Sequence, residues 1–278
     1  MKTNFFFSNS IVWRINLLKN YFKNKFFNNT IEKLLIKKIF KNYKNEFWIL
    51  DIGANIGQKT DLFLSVDPNI NVILFEPYKK YFLEIKKKFR LKNNIKFFCF
   101  GIGKINKKIK FYLTDQKENS EAFSFRRMPY HNSCVKSEVR KLDDLKELKN
   151  NKILLIKIDV EQLELDVFIG GKKLLIKNRP FLLFETTNKN INKIKIFLQK
   201  INYSLYAYEF YIFKDNNFVF KNPIKSWRDS NIIKSNIYEK KLYEINAFKN
   251  KKSYMLNLFA LPKERNYIIA DLNIIKKL

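Results

Sequence analysis

Ile49-Leu50-Asp51-Ile52-Gly53-Ala54-Asn55-Ile56-Gly57 is the stretch whose reading decides the fold. An apolar run over Trp48–Asp51 breaks at glycine and gives way to a helical pattern over Ile56–Val66. Strand, glycine break and helix in that order form the first half of a βαβ unit. Glycines at the crossing let the backbone turn tightly and approach a ligand, while the new helix offers unpaired N–H groups. The run is not G-x-G-x-x-G, because Asn55 stands where a pyrophosphate loop takes a small residue, and no Gly-Lys-Ser/Thr follows as in a P-loop. A ligand presenting a carboxylate suits it better than one presenting a phosphate. The plainer reading is a tight strand–helix turn that binds nothing.

Outward from this stretch the same alternation repeats. Strands are expected at Trp48–Asp51, Asn71–Glu76, Ile95–Phe100, Ile153–Asp159 and Phe181–Glu185, each ending in a carboxylate or beside a glycine. Helices are expected at Ile56–Val66, Tyr78–Leu91, Leu142–Leu148, Glu164–Lys177 and Ile191–Lys200. Leu205–Phe213, the turn Asp215-Asn216-Asn217 and Phe218–Phe220 carry a hairpin signal, and Met255–Leu261 is a last strand closed by Pro262. Gln116 to Ser137 reads as a long irregular insertion, the kind of loop that is usually functional or disordered. The fold class is therefore α/β, with a mostly parallel sheet and an antiparallel C-terminal hairpin. Residues 1–45 read as a helical N-terminal extension and 46–278 as one domain.

Composition bounds the partners. With 46% hydrophobic residues the chain is globular. Its net charge of +29 invites a nucleic-acid or anionic-membrane partner. A/T-rich coding bias explains the same number, since Lys, Asn, Ile and Phe abound while Gly, Pro, Ala and His are scarce, and the basic residues are spread along the chain. Cys99 and Cys134 show no metal-type spacing and make no disulfide framework, which fits a reducing cytoplasm. No run approaches the ~18 apolar residues of a membrane span. The aromatic and basic N-terminal stretch is able to lie on a membrane surface, although packing against the core is the simpler reading.

Glu76 ends the second expected strand, where an acidic residue hydrogen-bonds ribose hydroxyls in nucleotide folds; the bland reading is a carboxylate capping the helix after Pro77. Asp159 stands at the end of the fourth strand and Glu185 at the end of the fifth, where open α/β sheets bind ligands. Glu161 and Glu164 are also what a helix N-terminus favours.

Asp51-Ile-Gly-Ala-Asn-Ile-Gly57, Phe75-Glu76-Pro77, Lys157-Ile-Asp159-Val-Glu161 and Pro180…Glu185, in that order, resemble the FkbM family of methyltransferases over about residues 47–190. The resemblance implies a Rossmann-like class I methyltransferase fold, S-adenosylmethionine as methyl donor, and a hydroxyl of a sugar, glycan or related metabolite as acceptor. It implies that Gly53, Asn55 and Gly57 line the methionine end of the donor, with Asp51 grouped among the cofactor-binding residues. Glu76 would hold the ribose, and Gly101-Ile102-Gly103 would lie near the adenine. Asp159, with Glu161 or Glu185, is the candidate to position the acceptor hydroxyl or act as general base, and a divalent metal held by these oxygens is a further reading. His131, in the insertion, is a rival base or a solvated loop histidine. Arg126 and Arg127 are able to grip an anionic group on the acceptor. The family's Asp-x-Glu-Gly-x-Glu reads Asp159-Val160-Glu161-Gln162-Leu163-Glu164 here, with Gln162 in the glycine place, which bears on the shape of the acceptor pocket. Two rivals stand beside this reading. An RNA-directed enzyme is suggested by the charge but opposed by the lack of Asn/Asp-Pro-Pro-aromatic after the fourth strand. A catalytically silent Rossmann-like module is suggested by Gln162.

Overall fold

A computed structural model describes residues 31–43, 47–113, 123–124, 133–213, 241–244, 253–270 and 273–275. In chain order these form α1 (Ile31–Asn42), β1 (Phe47–Ile52), α2 (Gln58–Val66), β2 (Asn71–Phe75), α3 (Lys79–Lys88), β3 (Ile95–Phe98), β4 (Gly101–Ile102), β5 (Lys107–Leu113), β6 (Phe123–Ser124) and β7 (Ser133–Arg140). Then follow β8 (Lys152–Ile158), α4 (Glu164–Gly170), α5 (Lys172–Asn178), β9 (Phe181–Thr187), α6 (Asn188–Lys200), β10 (Tyr203–Phe213), β11 (Lys241–Glu244), β12 (Ser253–Pro262) and β13 (Asn273–Ile275).

The main sheet runs β13-β11-β10-β12-β9-β8-β1-β2-β3. From β3 to β9 every pairing is parallel. The chain lays β1, β2 and β3 outward on one side, then returns to place β8 and β9 on the other. The order therefore reverses between β1 and β8, and ligands of open α/β sheets bind in the crevice above such a switch point. β12 enters antiparallel between β9 and β10, in keeping with the Rossmann-like fold that the resemblance implies. The long antiparallel pair is β10 with β12, from Tyr203↔Pro262 to Phe213↔Ser253. The turn at 215–217 and the strand at 218–220 lie outside the described residues.

Strand alternation sends side chains to two cores. Ile49, Val72, Leu74, Leu155 and Leu183 face α1, α2 and α3, meeting Leu35, Ile36 and Ile39 of α1, Phe63 of α2 and Ile85 of α3. Leu50, Ile52, Ile73, Ile156 and Leu182 face the opposite layer, meeting Val167 and Phe168 of α4, Leu174 of α5 and Ile191 of α6. Each such fully buried side chain contributes roughly 1.5–3 kcal/mol of apolar burial. The part of the N-terminal extension that is described thus packs as a core helix; residues 1–30 lie outside the described set.

Three expectations are corrected. The insertion over 116–137 is not wholly irregular, because β5 and β7 pair antiparallel from Lys107↔Val139 to Leu113↔Ser133, and with β4 and β6 they form a second, four-stranded sheet. Leu142–Leu148 is two 3-10 turns rather than an α-helix. The helix expected over Glu164–Lys177 is divided at Gly170-Gly171, where glycine costs about 1 kcal/mol of helix propensity per residue.

Candidate functional site

The ends of β1 and β8 meet at the switch point. Gly53 follows β1 with φ +73, and its N–H donates to Phe75 O (3.0 Å), as does that of Ala54 (3.1 Å). Across the crevice the Asp159 N–H donates to Ile52 O (3.0 Å). A Cβ on Gly53 would sit 1.9 Å from Asp159 O, so the two motifs are in backbone contact and no side chain fits between them. Gly57 also has positive φ, +77, and a Cβ there would press to 2.6 Å from the Phe89 ring.

Glu76 is held by the loop it was expected to serve. Its Oε2 accepts from the Asn55 N–H and its Oε1 from the Tyr78 N–H, both at 2.8 Å. Asn55 reaches that position with φ +50, a left-handed conformation that Asn tolerates better than most residues. The carboxyl is 4% exposed, and burial pushes its pKa up to about 7 against the pull of the two amides and Lys157. Each oxygen keeps a second acceptor direction, so both remain able to take a hydroxyl.

Asp51 does not face the crevice. Its carboxylate is wholly buried, with Oδ2 accepting from Thr60 Oγ1 (2.7 Å) and Oδ1 in an ion pair with Lys157 Nζ (3.4 Å). It acts on the loop from beneath rather than on a ligand. The Ile102 side chain is likewise enclosed, 1% exposed and in the core cluster with Leu142 and Phe168, so this segment has only backbone to offer a ligand there.

Lys157 is the residue whose role the motif reading missed. It is buried in β8, its Nζ donates to Gly53 O (2.9 Å), and it lies 3.6 Å from Asp159 Oδ2 as well as beside Asp51. Burial alone would lower its pKa, but Asp51 and Asp159 outweigh that and hold it above the ordinary lysine value. One ammonium thus ties the donor-side loop to the acidic end of β8. A lysine inside an otherwise apolar strand, LLIKI, was the available signal, since a buried cation requires partners.

Asp159 stands with its side chain about half exposed (47%). Glu161 and Gln162 follow in left-handed conformation, φ +50 and +72. Glu164 fixes that turn: its Oε1 accepts from the Gln162 N–H (2.9 Å) and its Oε2 from Thr186 Oγ1 (3.2 Å). Gln162 thus adopts the conformation for which the family's glycine is suited, so the substitution alters the side chain and keeps the turn. Left-handed backbone costs a side-chain-bearing residue roughly 1–2 kcal/mol, and glycine loses roughly 0.5–1 kcal/mol more entropy on folding. Gln162→Gly is expected to stabilise the fold by about 0.5–1 kcal/mol, read as a higher urea midpoint; an unchanged or lower midpoint would show that the Gln side chain contributes more than the turn costs.

The carboxyls here raise one another. Glu161 is exposed at the surface of the turn, yet the protein around it, then Asp159, raises its carboxyl to about 7. Burial pushes Glu164 to about 7, and burial followed by Asp159 and Glu161 pushes half-buried Glu185 to about 8. A carboxyl whose folded pKa lies above its unfolded value holds a proton that the unfolded chain has released. Its stabilisation is complete below the ordinary carboxyl range and is lost as pH rises through about 7 to 8. The unliganded protein is therefore expected to lose stability between about pH 4.5 and 8, with a share on the order of 3 kcal/mol from Glu164 over the lower part of that range. Urea unfolding of Glu164→Gln across that range checks this, and a slope equal to the parent's would refute it.

Among the described residues no group of three or more His, Cys, Asp or Glu is arranged to hold a metal ion. His131, Arg126 and Arg127 lie outside the described residues.

Residues 51–218 match the Methyltransferase FkbM domain. The chain belongs to this family. A curated relative, the 2-O-methyltransferase NoeI of Sinorhizobium fredii (strain NBRC 101917 / NGR234), is 29% identical over 167 residues, covering 55% of this chain and 68% of NoeI. Among solved structures, Methyltransferase FkbM from Methylobacillus flagellatus KT aligns with a TM-score of 0.37 and 18% identity over 50% of this chain, which spans only 32% of that one. A SAM-dependent O-methyltransferase from Thermotoga maritima aligns with a TM-score of 0.38 and 10% identity over 80% of this chain and 61% of that one. At such scores the superpositions carry no weight for function. The motif residues of this FkbM-family chain gather where the strand order reverses, between β1 and β8.

Proposed function

We propose that this FkbM-family chain is an S-adenosylmethionine-dependent O-methyltransferase whose acceptor is a hydroxyl of a sugar, glycan or related metabolite. The observation that carries this is the backbone contact of Gly53 with Asp159 at the switch point, which sets a glycine loop, a ribose-type carboxylate and a half-exposed acid around one crevice. The 2-O-methyltransferase activity in NoeI's name supports a hydroxyl acceptor.

The residues present fit the donor. The loop after β1 supplies close backbone approach at Gly53, and Glu76 is fixed by two amides with acceptor directions to spare for a ribose. Bound there, S-adenosylmethionine would supply an electrophilic methyl group on a sulfonium. What the protein adds is position and a proton acceptor. Asp159 would take the proton that the acceptor hydroxyl gives up on methylation. Lys157, held by Asp51 below, keeps Asp159 and the Gly53 carbonyl in fixed relation. Calorimetric titration with S-adenosylmethionine and with S-adenosylhomocysteine, followed by an acceptor screen starting from sugar hydroxyls, tests the proposal. Micromolar donor binding and methyl transfer to oxygen are the expected outcome; absence of binding at millimolar ligand, with and without acceptor, would leave a silent binding module.

A further inference from the structure

Between Lys79 and Lys96 the chain has eight basic residues and one acid, Glu84, a net +7 in 18 residues against +29 in 278. That density is about four times the average of an already basic protein, so coding bias acting evenly along the chain does not account for it. The segment is α3 and the turn after it. Ile85 and Phe89 dock this segment on the core beside Phe63, which fixes the opposite face outward. Along that face, at helical spacing, come Lys79, Leu83, Lys86, Lys87 and Arg90, all exposed. Lys88, to one side, is engaged with Asp61 and the Ile56 carbonyl. Leu83 is 54% exposed and Leu91 84%, the latter more than any other large hydrophobic residue among the described residues.

Exposed leucines set among cations fit one kind of partner. We propose that this face of α3 is a peripheral docking surface for an anionic lipid bilayer. Phosphate and carboxylate headgroups complement the lysines, and the leucines enter the headgroup–acyl boundary. RNA shares the charge preference, but it is held by stacking on aromatic and arginine planes, and protruding leucines offer a base nothing. No helix among the described residues is long and apolar enough to cross a membrane. α3 begins directly after Glu76-Pro77, so docking here would bring the rim of the crevice to the bilayer surface.

The test is co-sedimentation of the full chain with vesicles of pure phosphatidylcholine and with vesicles of equimolar phosphatidylcholine and phosphatidylserine. Binding to the anionic vesicles alone, weakened by salt, is expected. Lys86→Glu/Lys87→Glu should weaken it by about thirtyfold or more, the conversion of roughly 1 kcal/mol per basic residue removed. Leu83→Glu/Leu91→Glu should weaken it at least as much, with the circular dichroism and thermal midpoint of the parent. Failure to bind anionic vesicles at low salt would overturn the proposal. So would binding that the leucine variant leaves intact, or binding to single-stranded RNA that outcompetes the vesicles and is indifferent to the leucines.

Discussion

Gly53→Arg is expected to abolish binding of S-adenosylmethionine and S-adenosylhomocysteine in the calorimetric titration. Two independent effects act at this position. Its φ of +73 is costly for any residue with a Cβ, and that Cβ would lie 1.9 Å from the Asp159 carbonyl oxygen. The obstacle is backbone, held by the Asp159 N–H to Ile52 O hydrogen bond inside a parallel sheet, so it cannot swing aside as a side chain would. The loop must move instead. That breaks the Gly53 and Ala54 bonds to Phe75 O and the Lys157 bond to Gly53 O, and displaces Asn55 from Glu76. Strain of this kind costs on the order of 1–3 kcal/mol. Loss of the loop's geometry should cost more than about 100-fold in donor affinity, roughly 3 kcal/mol. Gly57→Ala is the graded control: its Cβ meets the Phe89 ring, which is able to yield, so the loss should be smaller. Donor binding that survives Gly53→Arg with unchanged affinity would place the donor elsewhere.

What could be read beforehand follows the physics of each element. β1, β2, β8 and β9 are buried on both faces, so they appear as continuous apolar runs, and their carboxylate ends mark the crevice. The place of Glu76 beside the glycine loop was legible because it ends a buried strand. The second sheet was not, although Ile109 and Phe111 alternate with Lys108 and Lys110 in β5, because lysines on one face and turn-formers at Asn132-Ser133 resemble a solvated loop. Asp51 and Ile102 show a different limit. Period 2 assigns alternate residues to opposite faces, but only the packed structure tells which face meets helix and which meets the crevice. Asp51 shares its face with Ile49, toward α2 and Thr60, and so is enclosed. Lys157 was hidden for the same reason: its partners Asp51 and Gly53 lie more than a hundred residues away in sequence and become neighbours only through the β1–β8 pairing.

Asp159→Asn is expected to separate chemistry from binding. The substitution keeps size, shape and one acceptor oxygen, and leaves the Asp159 backbone contacts with Ile52 and Gly53 as they are. What disappears is the ability to take a proton and the charge facing Lys157 across 3.6 Å. A positioned general base contributes about 10²–10⁴-fold, so turnover should fall by that factor. Donor affinity should stay within about twofold, because an interaction made only in the transition state lowers kcat without altering ground-state binding. Lys157 retains Asp51 and the Gly53 carbonyl, so the loop has no reason to shift. Glu161 and Glu185 should each become easier to ionise once the neighbouring charge is gone, since Asp159 raises both. A neighbouring acid that substituted as base would therefore show as residual activity whose pH dependence moves toward lower pH. Equal loss of donor affinity and of turnover would mean that Asp159 holds the loop rather than the acceptor proton.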